Sequence, residues 1–290
     1  MTGTGLRMLV ACVAACVATQ ESRGEATIDV SLPVAVGKGS LVVLRPAAAR
    51  EAGSPGDLLI HFHGAVDSIR RAMERGGHEA TVVVVNQPGL SAAYATPFRD
   101  DPALFARLLA APTRPLGESA GAAPPPWRRV TLSCFSAGYG AVREILRDPA
   151  ALDRVDAIVA ADSIYAGLDE TQAAGAARRV DPRDLAGSRR FATEAAAGRK
   201  VFVVTHSAQP TPYASTTETA DDLLAHVGLE RETVGVLTGE EFPQVSRAVR
   251  GGFEVLGFEG ASGPAHLFHL RAIDRWWAAS ERAAAVEPAR

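Results

Sequence analysis

Residues 128–149 read RRVTLSCFSAGYGAVREILRDP. An apolar run typical of a β-strand ends at about Phe135, and from Ala141 onward apolar residues recur at the three- and four-residue spacing of a helix. Asp148 precedes a proline, which is where a helix normally ends. Ser136 therefore lies between a predicted strand and a predicted helix, with no room for an ordinary loop.

Two interpretations of this junction are open. A sharp strand–serine–helix turn, called a nucleophile elbow, presents the serine hydroxyl at the edge of a sheet and needs small residues around it. Cys134 and Gly138 stand two positions before and after Ser136, so the pattern is C-x-S-x-G where G-x-S-x-G is usual. In the other interpretation Ser136 only caps the helix. We take Ser136 as the candidate nucleophile.

The rest of the chain alternates between strand-like and helix-like segments, which predicts an α/β fold with a mostly parallel sheet flanked by helices. Predicted strands cover residues 27–36, 40–46, 57–63, 81–86, 128–134, 155–161, 200–206 and 253–259, the first two as a hairpin. Predicted helices cover residues 67–75, 102–111, 138–147, 217–227 and 265–284. A surface loop is expected at 111–126 and a small cap near 163–199.

Composition limits the classes of function. The 290 residues are 47% hydrophobic and 22% charged, which is normal for a globular protein with a sizeable core. A net charge of −3 without basic clusters argues against nucleic acid as a partner. We expect one domain over residues 27–290.

The first 26 residues have the pattern of an export leader. One positive charge, Arg7, precedes an apolar stretch from Met8 to about Ala18, which is too short to span a bilayer. We expect export to the periplasm or the medium. The residues around Cys16 also resemble a lipoprotein box, and membrane contact is expected only if the leader is retained or Cys16 is lipidated.

The order of these motifs resembles the α/β-hydrolase superfamily over most of residues 27–285. The stretch HFHG at 61–64 ends the third predicted strand, where the superfamily has a His-Gly turn that supplies a backbone N–H to an oxyanion hole. The resemblance implies that Gly64 or Ala65 gives the first N–H and Ala137, after the candidate nucleophile, gives the second.

The resemblance also implies a general base after the last strand. Gly263 and His266 fit its Gly-x-x-His spacing, and His269 is the competitor. For the acid, Asp162 stands at the carboxyl end of a predicted strand, on the edge where ligands bind. The alternative is Glu218, although Ser215 three residues earlier makes that glutamate part of a predicted helix-capping box.

The predicted activity is that of an exported serine hydrolase cleaving an ester, small or derived from a polymer, with Ser136, Asp162 and His266 as its triad. His63, Tyr94 and Tyr165 are expected to border the substrate pocket. No cofactor and no metal are expected. Two other classes stay open: a non-catalytic binding protein of the same fold, and a metal-dependent hydrolase using His61 and His63.

Overall fold

The computed structural model describes residues 27–29, 35–46, 56–110, 127–171, 178–235 and 240–285. The leader at 1–26, the loop at 111–126 and residues 172–177 of the expected cap lie outside the described residues. Within the described ranges, no helix has the length and apolar character needed to cross a membrane.

In the described part of the chain, ten strands form one sheet in the order β1-β2-β4-β3-β5-β6-β7-β10-β9-β8. They are β1 (Thr27–Asp29), β2 (Ser40–Arg45), β3 (Asp57–Phe62), β4 (Thr81–Asn86), β5 (Arg129–Phe135), β6 (Ala157–Ala161), β7 (Val201–His206), β8 (Glu232–Thr233), β9 (Gln244–Arg250) and β10 (Phe253–Phe258). The central strands are parallel to one another and are, in sheet order, β4, β3, β5, β6, β7 and β10. Antiparallel strands flank them on both sides. The predicted α/β fold and the first hairpin are confirmed.

Helices cover both faces of this sheet. They are α1 (Val66–Gly76), α2 (Ser91–Asp100), α3 (Leu104–Ala110), α4 (Tyr139–Ile145), α5 (Pro149–Arg154), α6 (Ala186–Ala196), α7 (Thr216–Val227), α8 (Gly263–Arg271) and α9 (Ile273–Ala285). Met73 and Trp277 of α1 and α9 belong to the core on one face, while Phe98, Phe191 and Leu223 belong to the core on the other. Burial on both faces explains why the central strands are almost continuously apolar.

The structure differs from the sequence-based predictions in several elements. The last helix is interrupted at Ala272, which ends α8 and is followed by α9. Helices α2 and α5 and the β9–β8 hairpin were not predicted as elements. The cap expected near 163–199 is wrong over residues 186–196, because Phe191 of α6 packs on Phe202 of β7 with ring centroids 5.6 Å apart. That helix belongs to the layer flanking the sheet.

Candidate active site

Ser136 occupies a strained turn between β5 and α4. Phe135 still has extended backbone angles, whereas Ser136 has a φ of 47°, in the left-handed region that non-glycine residues seldom adopt. A Cβ placed on Gly138 would lie 2.2 Å from the carbonyl oxygen of Phe62, so only glycine fits where the helix crosses β3. Strand, serine and helix therefore have the elbow geometry that the sequence predicted.

A second serine ties this turn to the neighbouring strand. The hydroxyl of Ser163 lies 2.9 Å from the carbonyl oxygen of Ser136 and 3.2 Å from Cys134 Sγ. Ser163 directly follows Asp162, so it links the end of β6 to the turn that carries Ser136. The sequence pattern did not single out Ser163, although its position next to the predicted acid was a usable signal.

Asp162 is a fully buried carboxylate with four hydrogen-bond donors around it. Oδ2 accepts from His266 Nδ1 and from the hydroxyl of Ser207, both at 2.7 Å. Oδ1 accepts from the backbone N–H of Ser207 at 3.0 Å and the hydroxyl of Thr216 at 2.6 Å. Burial opposes ionisation, but these bonds, with His269 nearby, outweigh it and hold the pKa of Asp162 well below its usual range.

His266, and not His269, contacts the predicted acid. His266 is half-buried in the first turn of α8, and its bond to Asp162 fixes the proton on Nδ1 and leaves Nε2 as an acceptor. His269 is fully buried, its Nδ1 lies 2.7 Å from Thr205 Oγ1, and burial lowers its pKa to about 4. His266 is therefore the histidine placed to act as a base.

Ser136 and His266 are neighbours without a hydrogen bond between them. Phe135, which precedes the serine, stacks on the His266 ring with centroids 4.5 Å apart. In the described part of the chain the Ser136 hydroxyl makes no hydrogen bond to that histidine. Such bonds are often long before substrate binds. The structure thus joins Asp162 to His266 directly and places Phe135, the residue before Ser136, on the His266 ring, while the triad roles stay a prediction.

One predicted oxyanion donor needs correction. The N–H of Gly64 donates to Asn86 Oδ1 at 3.0 Å, and the Asn86 amide donates back to the Gly64 carbonyl at 2.8 Å. Gly64 is therefore not available to a substrate. Ala65 is exposed at the start of α1 and Ala137 lies on the turn after Ser136, so their N–H groups remain as the predicted donors.

His61 and His63 are not a regular strand pair. His61 is fully buried and its ring packs against Trp277. The Nδ1 atom of His61 lies 2.9 Å from Ser133 Oγ, and burial lowers the pKa of His61 to about 3. His63 has left the strand with a φ of 72° and lies 2.7 Å from the hydroxyl of Tyr94. Among the described residues, no group of three or more His, Cys, Asp or Glu side chains could hold a metal ion.

The three aromatic residues expected to border the substrate pocket differ in solvent exposure. Tyr94 is 1% exposed, so the expectation that it borders the substrate pocket is wrong. Its hydroxyl contacts His63 instead. Tyr165 is half-buried and packs between Tyr139 and Tyr213, with ring centroids 5.4 and 5.5 Å away. His63 is half-buried and remains a candidate for the pocket wall.

Glu218 has a complete structural explanation. It forms a capping box with Ser215 at the start of α7 and an ion pair with Arg178. The Arg178 bond is the main cause that lowers the pKa of Glu218, to about 2. No contact joins it to His266 in the described residues. The residues after β7 that do contact Asp162 are Ser207 and Thr216, which the sequence pattern did not single out.

The chain has an α/β fold with a mostly parallel central sheet flanked by helices. Solved structures similar to it include a CIB-like hydrolase from Thermoplasma acidophilum, at 10% identity over 89% of this chain and 99% of that one, with a TM-score of 0.46. A feruloyl esterase module from Clostridium thermocellum, complexed with sinapinate, has 12% identity over 87% and 88%, with a TM-score of 0.47. Thermogutta terrifontis esterase 2, phosphonylated by sarin, has 14% identity over 87% and 94%, with a TM-score of 0.43.

Comparison of the sequence with protein-family models and with curated proteins finds no match.

Proposed function

We propose that this chain is a serine hydrolase that cleaves carboxylic esters through an acyl-enzyme. The observation that carries the proposal is the 2.7 Å bond between His266 and buried Asp162, beside a serine held in a strained turn at the same edge of the sheet. A serine alone at a helix start needs no such neighbours. A nucleophile, a base and a carboxylate that orients the base are the parts of a catalytic triad.

The mechanism follows from these positions. His266 Nε2 takes the hydroxyl proton as Ser136 attacks the ester carbonyl, and Asp162 stabilises the imidazolium that results. The N–H groups of Ala65 and Ala137 would stabilise the oxyanion, each lowering the barrier by about 3 kcal/mol. His266 then protonates the departing alcohol. Water attacks the acyl-enzyme in the same way and regenerates Ser136.

Export is part of the proposal. It is supported by the charged and then apolar pattern of residues 1–26, which fits a signal peptide or a lipoprotein leader. Expression in a bacterial host, with intact mass of the protein in each cell fraction, tests it. A mature chain that starts after the leader, outside the cytoplasm, is expected; a full-length cytoplasmic chain would contradict it.

Active-site labelling tests the nucleophile. A fluorophosphonate probe should add one mass increment to the wild type, at Ser136, and p-nitrophenyl ester hydrolysis should be lost in Ser136→Ala with little change in melting temperature. Ser40→Ala, an exposed serine on β2, is the matched control and should label and turn over like the wild type. Undiminished turnover by Ser136→Ala would refute the assignment.

A non-catalytic binding protein is the second candidate. The absence of a hydrogen bond between Ser136 and His266 among the described residues favours it. A binding protein of this kind would bind an ester ligand without forming an adduct with the probe. A metal-dependent reaction through His61 and His63 is tested by measuring ester turnover and probe labelling before and after dialysis against EDTA. Turnover that EDTA abolishes, in a protein that forms no probe adduct, would support that class.

A further inference from the structure

His63 is held in a strained conformation beside Phe135, the residue before the proposed nucleophile. Its φ of 72° lies in the left-handed region, which a non-glycine residue adopts at some cost in energy. Its ring contacts Tyr94 and stacks on Phe135, with ring centroids 6.0 Å apart. Phe135 also stacks on His266, so the ring of the residue before Ser136 contacts both imidazoles.

Counting protons around Tyr94 fixes the tautomer of His63. The backbone N–H of Gln87 donates to the Tyr94 hydroxyl oxygen at 3.0 Å, so that oxygen accepts there. Because the phenol is 1% exposed, its own proton needs a protein acceptor. Among the described residues the atom in reach is His63 Nδ1, at 2.7 Å. Neutral His63 therefore accepts at Nδ1 and carries its proton on Nε2.

The Nε2–H group of His63 is unused. Within the described part of the chain no group accepts a hydrogen bond from it, and it is not among the buried unpaired atoms, so it reaches solvent. Burial lowers the pKa of His63, and the nearby charge of His266 lowers it further. The ring thus stays neutral when His266 becomes charged. It offers a donor in the region where the Gly64 N–H is occupied.

We propose that His63 is a further catalytic residue, whose Nε2–H donates a hydrogen bond to the oxygen that becomes negative when Ser136 attacks the ester. Tyr94 is a positioning residue that sets the tautomer. The inference rests on the proposed function, because it needs that attack. His63 transfers no proton: the bond strengthens as charge develops on the carbonyl oxygen and weakens when the carbonyl re-forms and the alcohol leaves with the proton from His266.

The decisive variant is His63→Gly, because glycine tolerates a positive φ and has no side-chain N–H group to replace the Nε2–H donor. We expect kcat to fall about 100-fold, the loss typical of one oxyanion donor, while KM changes less than about threefold. Affinity for a boronic acid, which forms a tetrahedral adduct on Ser136, should fall in parallel, and affinity for the carboxylate product should not. His226→Gly, in the last turn of α7 and contacting Thr193, is the control and should keep the wild-type kcat.

A second variant tests the same inference without changing the strained residue. Tyr94→Phe removes the hydroxyl that holds Nδ1 unprotonated, and kcat should fall about tenfold for the loss of one buried hydrogen bond. Tyr139→Phe is the matched control, because it removes a hydroxyl that donates to Ser91 Oγ at 3.1 Å and contacts neither histidine. It should keep wild-type kcat.

The outcomes separate this inference from the proposed function. Wild-type protein that labels on Ser136 while His63→Gly and Tyr94→Phe both keep full kcat would overturn the role of His63 and leave the serine hydrolase intact. Equal losses of boronate and product affinity would also overturn it, since they indicate only a change in pocket shape. A wild type that neither labels nor turns over ester would overturn both.

Discussion

The carboxyl ends of β6 and β7 lie side by side, with Ala161 paired to Thr205, yet they contribute different groups to the site. β6 leads into Asp162, a buried negative charge. β7 leads into Ser207, and the loop beyond reaches Thr216 at the start of α7; both residues donate to that carboxylate. One strand supplies the charge, and its neighbour supplies the hydrogen bonds that stabilise it.

This difference explains the composition of the loop after β7. A buried carboxylate is stable only when it is paired and hydrogen-bonded. A second carboxylate facing Asp162 would raise one of the two pKa values by repulsion between like charges. The eleven residues 207–217 contain no Asp or Glu, and they provide hydroxyl and N–H donors instead. The position of the acid and the polarity of the neighbouring loop are therefore one arrangement.

The largest effect on activity is expected for Asp162→Asn. The amide keeps the shape of the acid but favours the wrong histidine tautomer, so kcat should fall by about 10⁴, the loss that this change causes in a serine protease triad. Ester turnover, with circular dichroism to confirm the fold, measures the effect. An Asp162→Asn enzyme with near-wild-type kcat would show that the charge after β6 does not serve His266.

Removal of a donor from the β7 side should have an intermediate effect. Thr216→Val deletes a hydrogen bond to a buried charge, which should cost about 2 kcal/mol of unfolding free energy near pH 7. The low pKa of Asp162 stabilises the fold above its unfolded pKa of about 3.9 and loses that effect as the pH falls toward the folded pKa. The unfolded chains of the two proteins titrate alike, so the stability gap between the wild type and Thr216→Val should stay constant near pH 4 and narrow only as the pH falls through the raised folded pKa of Asp162 in the variant.

Thr219→Val is the matched control on the same helix, because Thr219 is equally buried and donates to the neutral carbonyl of Ile164 at 2.7 Å. It should cost about 1 kcal/mol, and this cost should not change with pH. Denaturant unfolding of the three proteins at pH 7 and at a series of pH values down to about 2 measures both gaps. A pH-dependent gap for Thr219→Val, or a constant one for Thr216→Val, would contradict the assignment of Thr216 as a partner of a charged Asp162.

The smallest effect is expected for Glu218→Gln. Glutamine keeps part of the capping box but loses the charge that pairs with Arg178, so we expect a loss of about 1 kcal/mol or less and kcat within about twofold of the wild type. Since the pKa of Glu218 is lowered to about 2, the difference in melting temperature should shrink as the pH falls from about 5 toward 2. If this variant were inactive while Asp162→Asn worked, the acid would belong to the later strand.

The sequence was most informative where one continuous stretch determines the geometry. The β5–Ser136–α4 turn could be predicted because an apolar run, small residues and a helical pattern follow one another directly. Helix α2 gave no such signal: Leu90 at its start makes no side-chain cap, and Pro97 lies inside it. The β9–β8 hairpin was missed because only Ala248 of β9 is buried and the strand lacks an apolar run.

Side-chain hydrogen bonds between distant residues account for what was not predicted in the site. The motif at 61–64 indicated a backbone donor, but the fold was needed to show that Asn86 occupies the N–H of Gly64. Ser207 also became recognisable only with β6 and β7 paired, because its partner Asp162 lies 45 residues earlier. Sequence order identifies which residues reach the same edge of a sheet, and the folded backbone decides which atoms meet there.

The cysteine beneath the serine turn has a consequence for chemical stability. Cys134 is fully buried, and burial raises the pKa of its thiol to about 12, against the opposing effect of the Ser163 hydrogen bond. Oxidants and alkylating reagents attack the thiolate, which this environment suppresses. The native fold therefore shields its thiol from disulfide exchange even in an oxidising medium. Modification of Cys134 would require opening of the sheet around β5, so its rate of reaction reports how often the folded molecule opens.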